Sequence, residues 1–202
     1  NGNKGIAVGM SSDVLPHNLN EAVDAINLYI DNPMITVEDV LEVMPGPDLP
    51  TGGIITNISK ARDVYASGRG TFEVKAKYHV ETKGKFTHIV FSEIPYLVEI
   101  EKGIVGKIKQ LAMDGELNDV HNIENNTGRS GIEVRVILKP NASVPRTLKT
   151  LFENTGLKNN IRMGLTILKD GKPVETGILG LIESYVKHRH NVVTNISVEK
   201  KE

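Results

Sequence analysis

The chain has 202 residues, with 24 lysines and arginines against 25 aspartates and glutamates and a formal net charge of -1, so it carries no global basic field and any polyanion contact must come from local patches. It has no cysteine, which excludes disulfides, thiolate zinc sites and cysteine nucleophiles together. The length allows one or two domains with a sizeable core, no apolar run approaches membrane-spanning length, and no stretch reads as a signal peptide.

The first stretch, NGNKGIAVGMSSDVLPHNL, is unlike ordinary globular sequence. Gly2, Gly5 and Gly9 flank Ile6, Ala7 and Val8, so the backbone can turn sharply while presenting an aliphatic side chain. Two readings fit these residues: a glycine-rich turn whose Ile6 and Val8 fill a core, or a loop with an exposed apolar wedge. The spacing matches neither a P-loop nor G-x-G-x-x-G, so a phosphate cradle is not indicated.

Asn18, with Glu21 three residues later, reads as the N-cap of a helix whose apolar positions Leu19, Ala22, Val23, Ile26, Tyr29 and Ile30 recur at helical spacing, and Pro33 stops it. Thr36 with Asp39 opens a short second helix that ends at Pro45. The segment MPGPDLPTGG is an irregular loop. Residues 54–56 read as a short strand and 59–66 as a helix closed by Gly68. From Phe72 to Val80 apolar and polar residues alternate, which predicts one half-buried strand; a turn at 82–85 returns it as a hairpin partner.

A helix is expected over residues 98–112, a polar loop over 122–131, a strand over 132–138 and a helix from Ser143 that Gly156 closes. Residues 163–168 read as a strand, 169–172 as a turn, and Ile178 onward as a long helix. Its residues Ile182, Tyr185, Arg189, Val192 and Ile196 form the seam of a helix packing along another helix. Hairpins intermixed with helices, in place of regular βαβ units, predict an α+β architecture.

No catalytic constellation emerges. The five tyrosines, Tyr29, Tyr65, Tyr78, Tyr96 and Tyr185, fall on apolar faces or turns and read as packing residues. The histidines are scattered: His188 and His190 point to different helix faces, and His17, His79, His88 and His121 have no carboxylate at ligand spacing.

Several motifs stand in a fixed order: the opening N-G-x-x-G-I-A-V-G-M leading to Pro16-His17-Asn18-Leu19, then Pro45-Gly46-Pro47-Asp48 with Pro50-Thr51, Ile54-Ile55, Gly68-Arg69-Gly70, and Glu93-Ile94-Pro95-Tyr96. This order resembles the segment that follows the cleavage tyrosine in the A subunits of bacterial-type type IIA DNA topoisomerases, the DNA gyrase and topoisomerase IV A-subunit family. The resemblance is strong from Asn1 to Tyr96 and thinner afterwards. Leu97-Val98-Glu99-Ile100 replaces the usual Gln-Val-Asn-Lys, and His190 and Asn191 replace arginines.

The resemblance implies an end of the DNA-gate region over residues 1–50 with an intercalating loop, a tower domain over 51–175 with a mixed or antiparallel sheet and packed helices, and the start of a coiled-coil arm over 176–202. The chain then reads as a piece of a longer protein. Ile6 matches the isoleucine that this family drives between base steps to bend DNA. Lys4, Arg69, Lys75 and Lys77 are candidates for contacts to the DNA backbone, although Lys75 and Lys77, expected to share one strand face, fit a solvated face equally well.

The nucleophilic tyrosine is implied to lie upstream, leaving no catalytic residue and no metal ligand in these residues. Mg2+ and ATP are used through the partner ATPase B subunit. Implied partners are double-stranded DNA, a second copy of the A subunit, making a homodimer, and the B subunit in an A2B2 enzyme of the cytoplasm. A non-catalytic DNA-architectural or scaffold protein with a tower-like domain is the alternative that the residues leave open.

Overall fold

The computed structural model describes residues 2–7, 10–169 and 171–199. Val8 and Gly9 of the opening stretch and Asp170 of the expected turn lie outside the described residues.

In chain order the elements are β1 (Asn3–Ala7), β2 (Met10–Val14), α1 (Leu19–Asp31), α2 (Val37–Val43), β3 (Ile54–Ile55), α3 (Ala61–Ser67), β4 (Arg69–Lys75), β5 (Lys77–Lys83) and β6 (Phe86–Glu93). They continue as α4 (Lys107–Met113), β7 (Val120–Asn125), β8 (Val134–Leu138), α5 (Val144–Asn154), β9 (Lys158–Gly164), β10 (Thr166–Lys169), β11 (Lys172–Glu175) and α6 (Ile178–Glu199). A 3-10 turn, Ile58–Lys60, precedes α3, and a π-helical turn, Ile100–Gly106, precedes α4. The α+β expectation holds, with antiparallel pairing. No helix among the described residues is long and apolar enough to cross a membrane.

The residues form two compact units. The first comprises Asn1–Asp48, Asn57–Phe72 and Arg162–Glu202. Its opening stretch is a β-hairpin, not the glycine loop the composition suggested: β1 pairs antiparallel with β2, with Lys4 opposite Asp13 and Ile6 opposite Ser11. At its base Asp13 pairs with Gly164 of β9. The Asn18 side chain caps α1 by accepting from the backbone N–H of Asn20 at 2.9 Å. Thr36 and Asp39 form a reciprocal capping box at the start of α2. Helix α3 ends where Gly68 takes φ +72°, a left-handed turn in which an added Cβ would overlap the carbonyl of Thr176. Helix α6 packs on α1 and α3. Residues Val40, Val64, Tyr65, Phe72, Met163, Leu165 and Ile182 are buried, and each large apolar side chain so removed from water contributes about 1.5–3 kcal/mol.

The second unit comprises Leu49–Thr56 and Glu73–Ile161. Its four-stranded antiparallel sheet runs β5-β6-β8-β7. One face of that sheet supplies Ile89, Phe91, Val134, Val136 and Leu138 to a core completed by Ile104, Ile108, Leu151 and Leu157. On the other face Arg135 bridges Glu81, at 3.0 Å, and Glu133, at 3.1 Å. The His79 ring and the Arg135 guanidinium hold the Glu81 carboxyl down at about 2.

Three local expectations are corrected. The alternating run from Phe72 to Val80 is two strands: Ala76 leaves the ladder, donating its N–H to Leu157 at 2.7 Å, and the chain passes from the β4 pairing to the β5 pairing. Residues 120–125, expected to open a polar loop, form the edge strand β7. The expected strand 163–168 is interrupted at buried Leu165, whose N–H goes to Gly68 at 2.8 Å.

Candidate nucleic-acid interface

Side chains two residues apart on a strand share a face, and directly opposed residues of an antiparallel pair share it too. Lys4 and Ile6 on β1, and Ser11 and Asp13 on β2, therefore lie on one face of the hairpin. That face is open. Ile6 is 80% exposed, so it fills no core, and the reading of the glycine stretch as a turn with a core plug does not hold for Ile6. The hairpin instead presents an isoleucine to solvent, with Lys4 Nζ beside it at 4.0 Å from Asp13 Oδ1.

The hairpin is mounted firmly. Thr166 Oγ1 donates to the carbonyl of Ser11 at 3.0 Å, and Ser12 Oγ donates to the carbonyl of Thr166 at 3.3 Å, so β2 and β10 are tied by a reciprocal pair of hydrogen bonds. Sequence reasoning gave Thr166 no such part; nothing local distinguishes it from any other strand threonine. Behind the hairpin, the Pro16-His17-Asn18-Leu19 motif is structural. The carbonyl of Pro16 accepts from Asp48 N–H at 2.9 Å, His17 contacts buried Tyr65, and Asn18 caps α1.

Arg69 begins β4, with Nη1 3.5 Å from Glu175 Oε1. Gly70 beside it is required because a Cβ there would overlap Val64. In the second unit Lys75 ends β4 with its Nζ 6.0 Å from the Phe152 ring centroid, and Lys77 begins β5 with its Nζ 3.0 Å from Glu93 Oε1. These two lysines are placed on separate strands and have different neighbours, unlike the shared face expected from the alternation. Glu93 also accepts from Gly53 N–H at 2.7 Å, and Gly52 and Gly53 take φ +69° and +97°. The Glu93-Ile94-Pro95-Tyr96 and Pro50-Thr51 motifs thus meet as a backbone clasp, with Ile94 N–H donating to Thr51 at 3.2 Å.

The five tyrosines occupy structural positions. Tyr65 is fully buried, Tyr78 packs against Phe91 and Phe152, Tyr29 and Tyr96 are half-buried, and Tyr185 is half exposed on α6. Among the described residues no group of three or more histidines, aspartates or glutamates is placed to hold a metal ion.

Residues 1–201 match the family model of the DNA gyrase/topoisomerase IV A subunit. The chain is 36% identical over 195 residues to the DNA gyrase A subunit of Thermotoga maritima, covering 96% of this chain and 24% of that protein. It is 34% identical over 196 residues to the probable chloroplastic/mitochondrial DNA gyrase A subunit of Oryza sativa, covering 96% of this chain and 21% of that protein. It is 32% identical over 199 residues to the DNA topoisomerase 4 A subunit of Bacillus subtilis, covering 98% and 25%. The chain therefore spans about a quarter of the length of these relatives. With a family model covering almost every residue and relatives matched from end to end of the chain, this protein belongs to the DNA gyrase/topoisomerase IV A-subunit family.

Proposed function

We propose that this chain is the DNA-bending and tower part of the breakage-reunion subunit of an ATP-dependent type IIA DNA topoisomerase. The observation that carries the reading is Ile6, an exposed aliphatic side chain held on a hydrogen-bonded hairpin. DNA-bending proteins insert such side chains between base steps, at a cost of a few kcal/mol in unstacking, and recover it through the larger surface a kinked duplex meets. In a twofold dimer, two copies of Ile6 enter symmetrically placed steps of one duplex. Flexible steps kink more easily, so the preference among sequences comes from deformability without base readout.

In this reading Lys4, Arg69, Lys75 and Lys77 contact backbone phosphates and set the register of the duplex. Residues 1–50 are the end of the DNA gate, 51–175 the tower domain, and 176–202 the start of the coiled-coil arm. The full-length protein works in the cytoplasm, as a homodimer joined by two ATPase subunits. The cleaving tyrosine belongs to the part of the subunit upstream of these residues. Mg2+ and ATP act through the partner subunit; the residues described here do not fit a metal centre.

The test is Ile6→Ala in the intact protein, assembled with its ATPase partner. Folding and dimer formation should be normal, while DNA bending, read by end-to-end fluorescence transfer, and double-strand cleavage should be lost. Bending equal to that of the parent protein would contradict the assignment.

A further inference from the structure

The face of the sheet that carries Ile6 extends past the hairpin. Asp13 is opposite both Lys4 on β1 and Gly164 on β9, so Gly164 shares the face of Lys4 and Ile6, and Arg162, two residues before Gly164, shares it as well. Burial agrees with the register: Arg162 is exposed, while its neighbours Ile161 and Met163 point the other way and are buried. Arg162, Arg69, Ser11, Asp13, Thr166 and Glu175 line one cleft of about 420 Å³.

The charges of that cleft do not cancel. Asp13 is matched by Lys4 at 4.0 Å, and Glu175 by Arg69 at 3.5 Å. Arg162 has no ion-pair partner among the described residues, which leaves a guanidinium uncompensated in a polar cleft. Its planar fork of donors matches a phosphate's oxygens. Strand geometry places it roughly 17 Å from Ile6, counting two strand spacings across and four residues along. That distance corresponds to about five base-pair steps of a duplex.

We propose that Arg162 is a further DNA-binding residue of this chain, holding a backbone phosphate in the cleft it shares with Arg69, about five steps from the base step that Ile6 enters. This inference rests on the reading of the chain as a duplex-bending element. Arg162 lies in a stretch that the sequence presents only as the approach to a strand, which is why composition and motifs pass over it.

The experiment measures duplex affinity against salt for the full-length protein with its ATPase partner, in the parent form and in Arg162→Gln, Arg162→Lys and Ile6→Ala. Loss of one phosphate contact should make the slope of log affinity against log salt shallower by about 0.9. Arg162→Gln should show that change, with affinity roughly tenfold weaker at low salt on every duplex sequence tried, and Arg162→Lys should keep the parent slope because it keeps the charge. An unchanged slope and affinity in Arg162→Gln would overturn the inference, as would a loss confined to one DNA sequence. Ile6→Ala separates the two ideas: a changed bend in Ile6→Ala beside an unchanged slope in Arg162→Gln removes the cleft and leaves the wedge. An unchanged bend in Ile6→Ala removes the wedge reading, and the Arg162 slope then decides the phosphate contact alone.

Discussion

The hydroxyl of Tyr65 donates to Nε2 of His17 at 2.8 Å. The direction follows from the other end of the ring: Nδ1 lies 2.8 Å from the carbonyl oxygen of Leu15, which can only accept, so Nδ1 carries the proton and Nε2 is the acceptor. This arrangement requires a neutral imidazole. Burial lowers the His17 pKa below its ordinary value of 6.5, against the opposing pull of the Leu15 carbonyl, and burial likewise pushes the Tyr65 hydroxyl up. The motif histidine behind the hairpin is thus a strut between the hairpin's exit and α3, in contact with a tyrosine that has no freedom to act as a nucleophile.

Tyr65→Phe should leave Nε2 of His17 without a donor and destabilise the chain by about 1–2 kcal/mol, read from the urea midpoint at pH 8. The same group sets a pH dependence. Its folded pKa is depressed, so below pH 6.5 the unfolded chain takes up a proton that the folded chain resists. Stability from this site is fully present above pH 6.5 and falls as the pH is lowered through the window beneath it. His17→Gln should remove that part of the slope, and an unaltered slope would show that His17 does not titrate as described.

Thr166→Val keeps the shape of the side chain and deletes its hydrogen bond to Ser11. The bond is worth about 0.5–1.5 kcal/mol. Amide protons of β2 should therefore exchange roughly threefold to tenfold faster, while those of α3 are unchanged. Protection of β2 equal to that in the parent protein would mean that the hairpin is held by its own ladder alone.

Gly68→Ala should be far more damaging than Gly171→Ala, although both glycines have φ above +70°. The left-handed backbone costs an alanine about 1–3 kcal/mol at either site. At Gly68 the new Cβ also overlaps the carbonyl of Thr176, whereas at Gly171 it meets open space. Thermal denaturation of the two variants should separate them clearly; similar losses would mean that α3 and the start of α6 yield without strain.

Helix caps were legible in the sequence because they are local: Asn18, Thr36 with Asp39, and Gly68 each act within a few residues. The corrections come from partners that are distant in sequence. Alternation from Phe72 to Val80 continues without a break because Ala76 is buried like the apolar positions before it, so the pattern cannot record that the strand changes partners there. Strand β7 is polar because it is a sheet edge with β8 on one side only, and its residues His121, Asn122, Glu124 and Asn125 carry no periodic signal. The hairpin of β1 and β2 was hidden by its glycines, which lower strand propensity although the pairing is regular. Ile6 itself was visible only through the family resemblance, since an isoleucine between glycines fits a core as well as a surface; its exposure separates the two.

The most direct measurement places a fluorescent base analogue, such as 2-aminopurine, step by step along a duplex bound to the full-length protein with its ATPase partner. Unstacking should raise its emission several-fold at two symmetrically placed steps. Ile6→Leu should keep both signals and Ile6→Ala should abolish them. Emission at those steps that persists in Ile6→Ala would show that Ile6 does not enter the base stack.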